Sequence, residues 1–308
     1  MVDPIYTDAL IYASLLATLA IGLTLTYITT RVPNFAHASI AMIGAYITLI
    51  ITRIVDMNPY ISIPISFIIA GTVSLGLYTF ILKPLIRRNA SKAIQMISTI
   101  AFDLVLIGVL NIVADYIVMT YKIPSREFTL RGYDLAVGDA PMILIIAPIL
   151  ITSLAFTLHI MLRKTKFGVS MRAAIENPDL AQVVGINIKI IYAVAWFLGG
   201  AMAGVAGALI SLWFQGDPSL GITMMPSIFA ASIVGGFFSI YGAIAGGMLI
   251  GMTEILGTRF LAGELGTWII SYRPLIPLLF IVITIMIAPN GLAGIKWKEV
   301  AKRIGIRK

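Results

Sequence analysis

The chain has no cysteine, so neither a disulfide nor thiolate chemistry is open to it. It has two histidines, His37 and His159, far apart in 308 residues, which argues against a metal site. Charge is scarce: 12% of residues are ionic, about half of the roughly 25% of a soluble domain. No G-x-x-x-x-G-K-[ST] phosphate loop occurs, so nucleotide hydrolysis is not expected of this polypeptide. The first eight residues carry no basic n-region and no small-residue cleavage site, and the first apolar run therefore reads as a retained span. What the chain has instead is apolar length. It is 59% hydrophobic, with a mean hydropathy of +0.98. This composition specifies an all-α polytopic membrane protein, with one transmembrane domain over 1–308 and no room for a large soluble one. No cofactor is implied. The net charge of +8 does not point to nucleic acid, because the basic residues flank apolar runs.

A helix needs about 20 apolar residues to cross a bilayer core. Suitable runs lie at 9–29, 36–55, 60–82, 93–119, 141–162, 190–213, 222–238, 243–256 and 275–288, which makes nine crossings. The two runs between Ile222 and Leu256 are short and glycine-rich, so eight crossings with one re-entrant segment is the alternative. Charge chooses between them. The loop 83–92 carries Lys83, Arg87, Arg88 and Lys92 with no acid. The stretch 163–189 adds Arg163, Lys164, Lys166, Arg172 and Lys189, and the tail adds Lys296, Lys298, Lys302, Arg303, Arg307 and Lys308. With Arg31 these are sixteen of the 22 basic residues. Arg53, Lys122, Arg126, Arg131, Arg259 and Arg273 fall in the alternate loops, with most of the acids. Short cytoplasmic loops attract Lys and Arg, so the first set is expected in the cytoplasm. Nine crossings satisfy the parity, with the N-terminus outside and the C-terminus cytoplasmic.

The stretch 163–189 has more structure than a connector needs. Ala173, Ala174, Leu180, Ala181, Val183 and Val184 alternate with Arg172, Glu176, Asp179 and Gln182 at helical spacing. Asn177-Pro178 breaks the run, because proline disfavours helix in the residue before it. Gly185 suits a left-handed helix stop. A short helix, a break, a second short helix and a glycine stop are predicted. Such a pair either docks its apolar face into a partner's groove or lies on lipid headgroups. The acids Glu176 and Asp179 favour docking, because an anionic leaflet repels them.

There is also a faint internal echo. The sequence NFAHASIAMIGAYI at 34–47 and IFAASIVGGFFSIYGAIAG at 228–246 both run from Phe-Ala through Ala-Ser-Ile to Gly-Ala. The helices before them are expected to run in opposite directions. An inverted repeat with broken helices would look like this, although these residues are common in any membrane helix. Gly199, Gly200, Gly204 and Gly207 fall on the small-xxx-small spacing that lets helices approach closely.

Few polar residues interrupt the spans. Asp103 sits about a third of the way across its run, where an ionised group is functional by default. It either lines a pathway or is held by a local group such as Thr99, four residues earlier. Asn34 and His37 stand where the first helix ends and the second begins. His37 reads as a pH switch or, more simply, as a hydrogen-bonded helix-end residue holding the broken segment. Glu254 is expected near the outer mouth, meeting a partner or pairing with Arg259.

Four segments, in order and across nearly the whole chain, carry a family resemblance. They are Asn34-Phe35-Ala36-His37 through Gly44-Ala45-Tyr46; Phe167-Gly168, Arg172-Ala173, Asn177-Pro178, Ala181 and Gly185-Ile186-Asn187; Gly235-Gly236 through Ser239, Gly242-Ala243 and Gly246-Gly247; and Pro289-Asn290-Gly291-Leu292. In these the chain resembles the permease subunits of branched-chain amino acid ABC importers, the shorter H-type permease of the Liv type. The family usually has glycine where Ala38 stands, and often glycine between the Gly-Gly pair and the serine, where Phe237-Phe238 stand.

The resemblance implies a plasma-membrane permease that moves leucine, isoleucine or valine inward by alternating access. Its expected partners are a second related permease, two cytoplasmic ATP-binding subunits and an extracellular binding protein. In that reading 163–189 is the cytoplasmic coupling segment, with Gly168, Arg172, Ala173, Glu176, Asn177 and Gly185 as its ATPase-coupling residues. Pathway candidates are Asn34, His37, Gly44, Thr99, Asp103, Gly235 and Gly236. Related permeases carry other amino acids, urea, nucleosides or sugars. The competing class is an ion-coupled secondary transporter, which inverted symmetry and Asp103 would suit. A membrane enzyme lacks a catalytic cluster.

Overall fold

A computed structural model describes residues 4–138 and 140–294. Asp139 and the basic tail, Lys296 to Lys308, lie outside the described residues. The helices in order are α1 (Pro4–Thr30), α2 (His37–Arg53), α3 (Ser62–Gly76), α4 (Lys83–Arg87), α5 (Lys92–Tyr121), α6 (Met142–Lys164), α7 (Lys166–Glu176), α8 (Pro178–Val183), α9 (Ile188–Trp213), α10 (Leu220–Gly235), α11 (Ile240–Leu265) and α12 (Leu275–Ile287). A π-helical turn at Leu77–Leu82 joins α3 to α4, so Pro59–Arg87 is one apolar rod of 29 residues. Ala136–Val137 and Ala140–Pro141 form a small antiparallel ribbon.

Among the described residues seven helical stretches are long and apolar enough to cross a membrane, and α2 and α10 are shorter apolar helices. Their starts follow local chemistry. Ser91 Oγ accepts from Ile94 N (3.3 Å), Asn187 Oδ1 from Ile190 N (3.4 Å) and Ser239 Oγ from Gly242 N (3.0 Å), each capping the first turn of its helix. The expected pair of short runs is corrected in one respect. The second continues to Leu265 as a 26-residue helix, and the helix that shares α10's shortness is α2.

α1 is the axis of the bundle, buried almost throughout from Ala9 to Thr30. It runs antiparallel to α9: Trp213 Nε1, at the end of α9, donates to Asp8 Oδ1 at 2.7 Å. Small residues set the closeness of packing. A Cβ on Gly207 would run into the Ala41 carbonyl, and one on Gly44 into the Gly204 carbonyl, so α2 and α9 cross backbone to backbone. α1 lies on α11 as α9 lies on α3, and α2 packs on α10, which relates the two antiparallel halves. The sequence echo does not mark equivalent positions in them. Phe35 precedes α2 while Phe229 is inside α10, and Gly44 is inside α2 while Gly242 is in α11.

The two sets of basic residues separate by end. Lys92 Nζ donates to the Thr30 carbonyl (2.9 Å), and Arg31 lies over Phe238, which lines one cleft with Arg163 and Arg172. At the opposite end Arg131 covers Trp213, Arg53 faces Tyr133, and Arg126 pairs with Asp115 at 2.7 Å. We refer to these as the basic end and the opposite end.

Candidate functional site

Most of the polar residues singled out inside the spans converge where α1 gives way to α2. After Thr30 the chain turns back into the bundle in non-helical form, and α2 begins only at His37. Pro33 keeps the preceding residue out of the helical region. His37 Nε2 lies 3.0 Å from the Leu19 carbonyl oxygen. At 1.5 Å per residue, Leu19 is about 16 Å along α1 from Thr30, so α2 starts deep in the bundle. Ala36 has no side chain to cap the helix, and Asn34 Oδ1 accepts from its amide instead, at 3.1 Å.

Thr99, from α5, clamps the returning segment. Its Oγ1 accepts from Phe35 N (3.3 Å) and bonds the Met96 and Pro33 carbonyls at 2.8 and 3.3 Å. It therefore does not hold Asp103, as its spacing suggested. Asp103, one turn further along α5, faces Ser39. Asn34 Nδ2, His37 Nδ1, Ser39 Oγ and Asp103 Oδ1 are all without a hydrogen-bond partner among the described residues. An unpaired buried polar group costs about 1–3 kcal/mol, and four of them lie around one helix start. They offer donors and acceptors to water or to a polar solute. Ser39 escaped the sequence reading because a serine in an apolar run gives no signal without its neighbours.

The glycine candidates stand elsewhere. Gly44 is in the α2–α9 crossing. Gly235 and Gly236 make the turn from α10 towards α11 at the basic end, where Gly236 takes φ +108°. Phe237 packs edge-on against Tyr27 (4.0 Å) and stacks on Phe229 (6.2 Å), which meets Phe35 at 5.1 Å. The bulky residues at the Phe237-Phe238 position thus join an aromatic cluster beside the returning segment.

The polar stretch folds as its pattern requires. Thr165 Oγ1 caps α7, accepting from Gly168 N at 3.1 Å. Asn177 ends α7 and caps α8, accepting from Leu180 N at 3.0 Å, with Pro178 in the first turn. Gly185 follows at φ +86°. Met171 and Ala174 are buried towards the bundle, and Gly168 packs on the Met161 and Leu162 carbonyls. Arg172 Nη1 donates to the Leu162 carbonyl (2.7 Å), bracing α7 on the end of α6. The outer face is apolar: Leu180, Val183 and Val184 are 61%, 82% and 68% exposed. Leu180 and Val184 line a groove of about 420 Å³ whose walls include Ala173, Glu176 and Asn177.

Glu254 departs from expectation. It is 3% exposed, well inside α11, and pairs with Arg273 rather than Arg259. Residues five apart do not share a helix face, which separates Glu254 from Arg259. Arg273 follows a short 3-10 segment, Thr267–Tyr272, that folds the chain back alongside α11.

Residues 5–289 match the family described as branched-chain amino acid transport system / permease component. The chain is 42% identical over 299 residues to the probable branched-chain amino acid transport permease protein LivH of Methanocaldococcus jannaschii, covering 97% of this chain and 94% of that protein. It is 27% identical over 297 residues to the high-affinity branched-chain amino acid transport system permease protein LivH of Escherichia coli, covering 90% and 91%. A 25% identity over 258 residues links it to the galactofuranose transporter permease protein YtfT of Escherichia coli, with 79% and 69% covered. Of solved structures, PsaBC from Streptococcus pneumoniae in complex with Fab is alike in fold, with a TM-score of 0.50 at 15% identity over 99% of this chain and 96% of that one.

Proposed function

Because the chain belongs to the permease-component family of branched-chain amino acid transport systems, we propose that it moves leucine, isoleucine or valine inward as the membrane subunit of an ATP-driven importer. It is a multi-pass permease and not itself an enzyme. Its partners in this reading are a second related permease, two cytoplasmic ATP-binding subunits and an extracellular binding protein. The whole chain acts as one permease domain. The basic end faces the cytoplasm, with the N-terminus outside, because Lys and Arg are retained on that side.

The observation that carries the coupling role is the α7–α8 pair. Its inner face is fixed to the bundle and its outer face leaves Leu180, Val183 and Val184 exposed, Leu180 and Val184 lining a groove. The chain has no phosphate loop, so in the importer reading ATP is hydrolysed on another polypeptide and its energy arrives through such a contact. Arg172 transmits movement into α6 through the Leu162 carbonyl. Glu176, exposed at the rim of the groove, is free to pair with the partner. Gly168, Ala173, Asn177 and Gly185 shape the pair. The unpaired polar atoms around Asn34, His37 and Asp103 mark the solute's passage, with Thr99 fixing its wall. The contacts at α8 must differ between the inward- and outward-facing states, since a partner shifts an equilibrium only by differential affinity.

The test is uptake of radiolabelled L-leucine by proteoliposomes holding the permeases, the ATPase and the binding protein. Uptake should require ATP and ignore dissipation of proton and sodium gradients. Uptake that survives ATP depletion and tracks either gradient would instead establish an ion-coupled transporter. Import of galactofuranose or a nucleoside in place of leucine would overturn the substrate.

A further inference from the structure

The most heavily buried charged pair in the described chain is Glu254 with Arg273, and a cavity of about 230 Å³ lies against it. That volume is below the usual range of about 300–1,000 Å³ for drug-sized ligands and suits a smaller solute. Its walls carry two kinds of chemistry. Ile210, Phe214, Leu220 and Met224 are apolar, while Glu254 and Arg273 bring one charge of each sign. Arg273 hydrogen-bonds Glu254 through Nε alone (2.7 Å), and its guanidinium lies 4.5 Å from the centroid of the Tyr12 ring. Tyr12 Oη donates to both Glu254 oxygens, at 3.1 and 3.2 Å. α10 begins at this cavity, and its N-cap residue Ser219 gives its hydroxyl to Asp217 rather than to the helix. Asp217 Oδ1 also accepts from Ser219 N (2.8 Å), so that helix start already holds its own anion and Arg273 is the cation that faces the cavity. Arg273 also borders a second cavity of about 380 Å³, beyond the first towards Ile5 and Arg259 at the opposite end.

We propose that this cavity binds the amino acid itself. The ligand carboxylate meets the Arg273 guanidinium, the ammonium meets Glu254, and the branched side chain lies against Leu220 and Met224. The inference rests on the importer reading and adds a site to it. A zwitterion in a low-dielectric interior needs both charges answered, and a neutral buried pair answers them without leaving net charge behind. The four charges then alternate in sign. An uncharged sugar would gain little from such a pair.

The test uses the reconstituted importer with saturating binding protein and L-leucine or L-valine as probes. Arg273→Gln and Glu254→Gln should each lower leucine import per ATP hydrolysed by about tenfold or more, the scale of one charged hydrogen bond. Met224→Phe leaves the pair intact and narrows the apolar wall. It should lower the leucine-to-valine import ratio by about tenfold, the scale of one methylene in a tight pocket. A purely structural ion pair would not move that ratio. If the wild type imports leucine and all three variants match it in rate and ratio, the site is wrong and the importer reading stands. If the wild type imports neither amino acid, the reading and the site both fall. Should the two charge variants be missing from the membrane, Met224→Phe decides alone.

Discussion

At the scale of single residues, what distinguishes this protein is which polar atoms are answered and which are not. His37 is half answered: Nε2 meets the Leu19 carbonyl and Nδ1 meets nothing. His37→Ala should destabilise the chain by about 1–3 kcal/mol by removing the imidazole's hydrogen bond to the Leu19 carbonyl and leaving a cavity in the bundle, and His37→Gln should recover part of it. Thermal unfolding of the detergent-solubilised chain reads both. Asp103→Leu removes the carboxyl that faces Ser39. If that carboxyl lines the passage, ATP-driven leucine import falls while the amount of inserted chain does not, and Asp103→Asn keeps more activity than Asp103→Leu. Equal import in all three chains would return Asp103 to a packing role. The glycines answer a different need. Gly207→Leu would press a side chain into the Ala41 backbone, an overpacking that costs about 1–3 kcal/mol or more, read as a lowered melting temperature.

At the scale of elements, the short helices hold the proposed coupling surface and the long ones carry the shape. α7 and α8 are tied to the bundle on one side and open on the other. Gly185 has open space around its Cα but a φ of +86°, which proline cannot adopt. Gly185→Pro should therefore misplace the start of α9 relative to α8 and uncouple ATP hydrolysis from leucine uptake, with the permease still inserted. Glu176→Lys should weaken capture of the ATPase without a change in melting temperature, because Glu176 is exposed and its side chain makes no hydrogen bond or ion pair among the described residues. Co-purification of the ATPase with each variant checks the pair, and unchanged ATP-driven uptake in both would remove the coupling role. α2 and α10 are the other functional elements. α2 starts inside the bundle at His37, while α10 starts at the exposed Ser219 and gives Leu220 and Met224 to the wall of the proposed amino-acid cavity.

At the scale of the whole molecule, the arrangement is two antiparallel halves around α1 and α9, with cationic residues divided between the ends. The absence of native cysteine makes the orientation directly testable. Single cysteines at Gln182, on α8, and at Glu264, near the end of α11, are both exposed. A membrane-impermeant maleimide applied to whole cells should label Glu264→Cys and spare Gln182→Cys until the membrane is opened. The reverse pattern would invert the topology and place the coupling helices outside, where no ATPase can reach them.

The sequence by itself determined the class, the number of apolar helices and the polar helix pair. Those features rest on local chemistry: runs of about 20 apolar residues, the Asn177-Pro178 break and the Gly185 stop. It also separated the basic residues by end, because charge in loops is counted without knowing any contact. Tertiary structure alone decided depth and partnership. His37 lies at Leu19 and not at the membrane surface because the chain doubles back after Thr30. Thr99 holds Phe35 and not Asp103 because the returning segment reaches it first. Glu254 meets Arg273 because a 3-10 segment folds the chain back beside α11, and no spacing along one helix encodes that encounter.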